Sequence, residues 1–264
     1  HEASWRAPGA SPLALTDIRY YAEMARKAEA GLFDSIFLAD QLALGPDVAQ
    51  APRTWLEPVT VLAALAMATE RIGLIATCST TYTEPFNLAR QFASIDHISG
   101  GRVGWNIVTS WLAAAAENYG DTSQLGHAAR YGRAEEFLRV VTGLWDSWSD
   151  DAVEGAIRRV DHAGAHYRVA GPLNLPRGPQ GRPVFVQAGS SDTGRRFAAR
   201  HAEAVFTAQM EKATARDFYA ELKALAAAEG RAADGVLVLP GLSPVIGSTE
   251  AEAARLAREL NELS

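Results

Sequence analysis

Two short stretches of this chain combine residue types that bind anions. His127 and Tyr131 are four apart, with Arg130 and Arg133 beside them. On a helix that starts by His127 the two rings share one face. Histidine, tyrosine and arginine together suit a phosphate ester, and a solvated helix start has the same composition. In Ala188-Gly-Ser-Ser-Asp-Thr-Gly194 an apolar strand runs through Gly189-Ser190-Ser191 into a helix. Free N–H groups at a helix N-terminus attract anions, and two hydroxyls add donors. Serine is also a favoured residue for ordinary N-capping. A third set, Asp40, Thr77, Ser79 and Asn106, lies at or near the ends of apolar runs. One such residue is commonly a loop cap. Four of them on three strands would face one shared mouth if the strands form a parallel barrel.

Other chemistries lack their residues. Cys78 is the one cysteine, which leaves no disulfide within the chain and no cysteine metal cluster. His97, His162, His166 and His201 show neither HExxH nor comparable spacing, and no metal site is expected. Gly189-Ser190-Ser191 lacks the closing glycine of a nucleophile elbow, which counts against a covalent hydrolase. The formal net charge is −6 and no Lys/Arg cluster interleaves with aromatics, so no nucleic-acid partner is expected. The longest apolar run, around Val59 to Ala68, is far short of a membrane span. The cysteine usage fits a reducing cytoplasm, the expected location.

The elements that would position these residues alternate along the chain. Short apolar runs at 35–40, 71–80, 102–109, 183–189, 204–209 and 236–246 read as strands. Thr16 or Asp17 can cap a helix that closes at Gly31, and helical spacing recurs over Glu57–Thr69, Pro85–Ile98, Trp111–Tyr119, Ala128–Trp148, Thr193–Ala202, Ala213–Glu229 and Thr249–Leu263. The last of these starts with a capping box, Ser248/Thr249 followed by Glu252. Residues 150–181 are irregular, with a short strand at His166–Ala170. The alternation predicts an α/β fold in one domain over residues 1–264, with a parallel sheet and helices outside it. A (β/α)8 TIM barrel needs eight strands, so the first and last are expected outside the given chain. An open doubly wound sheet is the rival, and no G-x-G-x-x-G follows the first strand.

The phrases FDSIFLAD, LEPVTVLAALAMATERIGL, TCSTTYTEPFNLARQFASIDHISGGRVGWNIVTSW, RYGRAEEF and PQGRPVFVQAGSSDTGRRFAARHAEAVF resemble the bacterial-luciferase-like flavin monooxygenases. The resemblance is to the nitrilotriacetate/EDTA/dibenzothiophene-sulfone monooxygenase branch, and it covers nearly the whole chain. It implies a luciferase-like (β/α)8 TIM barrel with an insertion. It also implies a two-component system in which a separate NAD(P)H:flavin reductase supplies reduced FMN (FMNH2). O2 is the co-substrate, one oxygen atom entering a small organic substrate by C–N or C–S cleavage or hydroxylation. By the same resemblance Asp40, Thr77, Ser79 and Asn106 lie by the flavin ring, and His127, Tyr131, Ser190 and Ser191 lie at its phosphate end. His1 resembles a family histidine near the reacting side of the flavin, with a catalytic role in proton handling. The family habit is a homodimer or homotetramer. A flavin-binding barrel without oxygenase activity is the alternative. A cofactor-free hydrolase or aldolase barrel lacks a metal set, a nucleophile elbow and an evident Schiff-base lysine.

Overall fold

The computed structural model describes residues 6–7, 15–45, 55–150, 156–232 and 234–263. His1, the expected catalytic histidine, lies outside these residues. Six parallel strands form one sheet in the order β1 (Ser35–Leu38), β2 (Gly73–Ser79), β3 (Val103–Val108), β6 (Val184–Gln187), β7 (Ala204–Thr207) and β8 (Leu237–Pro240). They are the six strands read from the sequence, trimmed at their ends. The last is cut most, because the ladder ends at Pro240, with Gly241 N–H donating to Thr207 O at 2.8 Å.

Helix α1 (Ile18–Ala30) precedes β1, the crossovers carry α2 (Pro58–Ala68), α3 (Pro85–Ser99), α5 (His127–Trp145), α6 (Asp192–His201) and α7 (Lys212–Ala228), and α8 (Glu250–Glu262) follows the last strand. Their ends obey local rules. The Asp17 carboxylate caps α1 through Arg19 N–H, and Pro85 opens α3 at a position where no N–H is needed. Thr249 caps α8 by accepting from Glu252 N–H, and Glu252 reaches back to Ser248 N–H. Gly100 closes α3 with φ 68°, a conformation that favours glycine. Gly31 does cap α1, but at φ −80°; the left-handed residue is Leu32, at φ 61°. The helix expected over Trp111–Tyr119 is only the short α4 (Ala115–Asn118). Ser110 takes φ 57° and turns the chain out of β3 before a helix can start, leaving Trp111 exposed.

The sheet is curled. Phe37 on β1 and Phe206 on β7 are separated by four strand spacings, about 19 Å in a flat sheet, yet their ring centroids lie 6.1 Å apart. On the same concave face Ile75, Val186 and Ala204 cluster from β2, β6 and β7. Gly104 on β3 makes this possible: a Cβ there would stand 2.9 Å from Ile75 Cγ1. The convex face carries the main core. Trp105 is fully buried there, ringed by Phe92, Phe137, Phe185 and Trp145 at centroid distances of 5.8–6.5 Å, and its indole N–H donates to Cys78 O at 3.0 Å.

Polar clamps hold the N-terminal ends of the strands. Arg102 donates five hydrogen bonds, to Ala66 O, Thr69 O, Thr69 Oγ1, Ile72 O and Ser99 O, joining the end of α2, the entry to β2 and the end of α3. Glu29 receives the N–H groups of Glu70, Arg71 and Ile72 on one carboxylate. The irregular stretch after α5 holds a two-stranded antiparallel hairpin, β4 (His162–Ala163) with β5 (Arg168–Val169). Glu136 of α5, buried beneath it, accepts from His162 Nε2 at 3.0 Å, His166 N–H at 3.0 Å and Tyr167 N–H at 2.9 Å. Burial works against the Glu136 charge, but His162 and the two backbone N–H groups outweigh it and hold the carboxyl down at about 2.

Arg102→Ala strands four carbonyls and removes charged donors, so its chemical-denaturation stability should fall by about 3 kcal/mol. Glu136 has a lowered folded pKa. Its contribution to stability is therefore present above the ordinary carboxylate value of 4.5 and fades as pH falls toward about 2. Thermal melts of Glu136→Gln and the parent should differ at pH 7 and converge only as pH approaches about 2.

Candidate functional site

Parallel pairing in register sets Thr77 of β2 directly beside Asn106 of β3, and Asn106 beside Val186 of β6. Both polar side chains are buried on the concave face, where Asn106 Nδ2 donates to Thr77 Oγ1 at 2.8 Å. Asn106 Oδ1 is buried without a partner. Two residues further along β2, Ser79 Oγ accepts from Ser110 Oγ at 2.7 Å and from Thr81 N–H at 3.1 Å. Asp40 follows β1. Burial pushes its carboxyl above the ordinary value, Glu57 adds to the rise, and Gln41 N–H, donating at 2.8 Å, works against both.

The second group is built by two helix starts. Helix α5 begins at His127, so the His127 and Tyr131 rings do share a face, with centroids 4.9 Å apart. Ser191 is the N-cap of α6: its Oγ accepts from Gly194 N–H at 3.1 Å and lies 3.3 Å from His127 Nε2. Capping is therefore true of Ser191 and does not exhaust it. Burial raises the pKa of the Tyr131 phenol, and Ser191, Thr109 and Gln187 beside its hydroxyl work against the rise. The turn is packed closely around that hydroxyl. A Cβ on Gly194 would stand 2.8 Å from it, and one on Gly189 would stand 3.0 Å from it.

Asp40, Thr77, Ser79, Asn106, His127, Tyr131, Ser190 and Ser191 all line one cavity of about 660 Å³ at the C-terminal ends of the strands. Its walls are apolar at Phe37, Val108 and Phe206. Arg130, read from the sequence beside His127 and Tyr131 as suited to a phosphate ester, lines it too, as do Gln187, Thr109 and Ser110, which were not named as site residues. Gln187 could have been found: it ends the apolar run of β6 as Thr77 and Asn106 end theirs. Thr109 and Ser110 end the β3 run in the same way, and the turn at Ser110 sets their place at the cavity. Among the described residues no three of His, Cys, Asp and Glu could hold a metal ion. No described helix is long and apolar enough to cross a membrane. Burial pushes the Cys78 thiol up to about 11.

A half-barrel of parallel strands with one polar-floored cavity at their C-terminal ends is the arrangement of a barrel enzyme or binding protein. Residues 3–263 match the family model described as luciferase-like monooxygenase, and the chain belongs to that family. It is 47% identical over 276 residues to nitrilotriacetate monooxygenase component A of Aminobacter aminovorans, covering 96% of this chain and 61% of that protein. The solved EDTA monooxygenase of Chelativorans sp. BNC1 superposes with a TM-score of 0.93 at 42% identity, over 100% of this chain and 64% of that one. A riboflavin lyase solved with modified FMN and substrate riboflavin superposes at 0.91 with 32% identity, over 100% and 64%. The chain thus spans less than two thirds of the length of these relatives.

The Thr77–Asn106 pair separates binding from stability. Thr77→Val leaves Asn106 with two unpaired groups and should cost the ligand-free protein about 1–3 kcal/mol. Thr77→Val with Asn106→Leu removes donor and acceptor together and should restore or exceed the parent's denaturation midpoint, as measured by urea titration.

Proposed function

We propose that this cavity binds reduced FMN and that the protein is the oxygenase component of a two-component monooxygenase, fed with FMNH2 by a separate NAD(P)H:flavin reductase. The observation that carries the reading is the meeting, in one cavity, of an anion-type end and a ring-type floor. At the first, His127, Tyr131, Ser190 and Ser191 gather at the N-terminus of α6 around a glycine turn with no room for a Cβ. At the second, Thr77, Ser79 and Asn106 line a buried floor, and Asn106 Oδ1 lacks a partner that a ring N–H would supply. These residues fit FMN, a flat heterocycle with a phosphate monoester at the end of a polar chain. Bound reduced flavin supplies the electrons that activate O2, one oxygen atom going to the substrate and the other leaving as water.

The chain's own residues bind, orient and exclude water. Serine and tyrosine hydroxyls hold the phosphate end. Asn106, fixed by Thr77, holds the ring plane against the strand ends. Phe37, Val108 and Phe206 keep the reacting side dry. Asp40, with its raised pKa, keeps a protonated carboxyl at the cavity wall to a higher pH than a solvent carboxyl would.

Anaerobic titration should show FMNH2 binding. O2 uptake with a reductase present should depend on a substrate drawn from amino-polycarboxylates, aryl sulfones or long alkanes. Absence of FMNH2 binding overturns the reading; binding with only H2O2 formed for every substrate favours a flavin carrier. Tyr131→Phe and Ser190→Ala should each weaken FMNH2 binding by about 1.5–3 kcal/mol, the worth of a bond to a charged group. Unchanged affinity in both variants removes the phosphate-end assignment.

A further inference from the structure

The cavity has a further wall, besides the anion-type end and the ring-type floor. Leu42 and Trp55 enter it from the chain after β1, and Trp111 and Leu112 from the turn after β3. Trp111 is 81% exposed, a large apolar surface presented at the rim. The wall is tied in place. Asn118 of α4 donates through Nδ2 to Leu42 O at 2.9 Å, and the Tyr119 ring stacks on Tyr82 at 4.7 Å, so the segment after β3 is joined to those after β1 and β2. Exposed indole and leucine surface is unfavourable in water, and a ligand that covers it gains.

Charge divides the cavity in the same way. Among the described residues that line it, the ionisable side chains apart from Tyr131 are Asp40, His127 and Arg130. The two basic ones stand at the start of α5, at the anion-type end. Asp40 stands two residues before Leu42, and the Glu57 carboxylate adds negative charge near it. A polycarboxylate on this side would meet a carboxyl of its own sign, and apolar rings that cannot replace its water.

We propose that the Trp111 wall is the substrate side of the cavity and that it takes an uncharged, largely apolar molecule, aromatic or long-chain alkyl, in preference to a polycarboxylate. This rests on the flavin reading above: with the phosphate end and the floor occupied, this wall is the surface left for a second molecule. Pockets for such ligands are apolar and aromatic, with few polar groups to set orientation.

The test is anaerobic calorimetry at pH 8, with the protein held in excess FMNH2. The uncharged probes are dibenzothiophene sulfone and dodecanol; the charged ones are a dicarboxylate derivative of the sulfone and nitrilotriacetate. The uncharged probes should bind about tenfold or more tightly than either charged one. Trp111→Ala should weaken them by about tenfold, the scale of one aromatic contact, and FMNH2 much less. Asp40→Asn should narrow the gap between the sulfone and its dicarboxylate, since it removes the like charge. Equal or tighter binding of the charged probes, binding of neither uncharged probe, or an unchanged gap in Asp40→Asn overturns the proposal. So does a loss of FMNH2 affinity in Trp111→Ala as large as the loss for the probes, which would put Trp111 on the flavin. The same titrations without flavin separate the two readings. If FMNH2 does not bind but the uncharged probes do, and depend on Trp111, the flavin reading fails while the apolar side stands; if FMNH2 binds and they do not, the flavin reading stands alone.

Discussion

Everything at the site depends on the register of one parallel sheet and on its curl. Parallel pairing keeps all six strands pointing the same way, so their C-terminal ends rise at one mouth. Pairing Thr77 with Asn106 sets two polar side chains side by side. Curling then brings β1 over β7, as the contact between Phe37 and Phe206 requires. A one-residue slip of β3 against β2 would turn Asn106 to the helix side and Trp105 to the concave side. The five-ring cluster around Trp105 holds the register against that slip, and the missing side chain of Gly104 lets Ile75 close the floor beneath it.

The two ends of the strands have separate tasks. At the N-terminal ends polar groups are paired in excess: Arg102 serves four backbone carbonyls and a hydroxyl, and Glu29 serves three N–H groups. In the cavity at the C-terminal ends two buried polar atoms lack a partner among the described residues, as do Ser149 Oγ and Arg177 Nε outside it. The two in the cavity are Asn106 Oδ1 and Arg130 Nε. Each unpaired group lowers the stability of the ligand-free fold, and each is a place where a ligand of the right chemistry gains.

Much of this was legible in the residue pattern. Apolar runs ending in polar residues located all six strands and, through them, Thr77, Ser79 and Asn106. The i, i+4 spacing located the His127–Tyr131 pair, and caps at Asp17 and Thr249 marked helix starts. Where local rules met a tertiary demand they failed. Trp111–Tyr119 has helical composition, but the turn at Ser110 holds most of it out of helix. Glu136 reads as an ordinary polar position of an amphipathic helix, whereas it is the buried anchor of a hairpin whose strands are two residues each. Gly164 beside it leaves no room for a Cβ against that carboxylate.

The sequence by itself determined most of the elements, their order, and the candidate site residues, because periodicity, capping and strand-end polarity are local properties of the chain. Only the tertiary structure decided which of those residues meet. His127 and Ser191 are far apart in the chain, yet their side chains lie 3.3 Å apart. Whether a polar atom is left without a partner is likewise a property of the packed molecule. The unpaired Asn106 Oδ1 and Arg130 Nε exist only once the sheet has curled and α5 and α6 have docked on it, since burial and pairing are relations between elements that no single stretch of sequence contains.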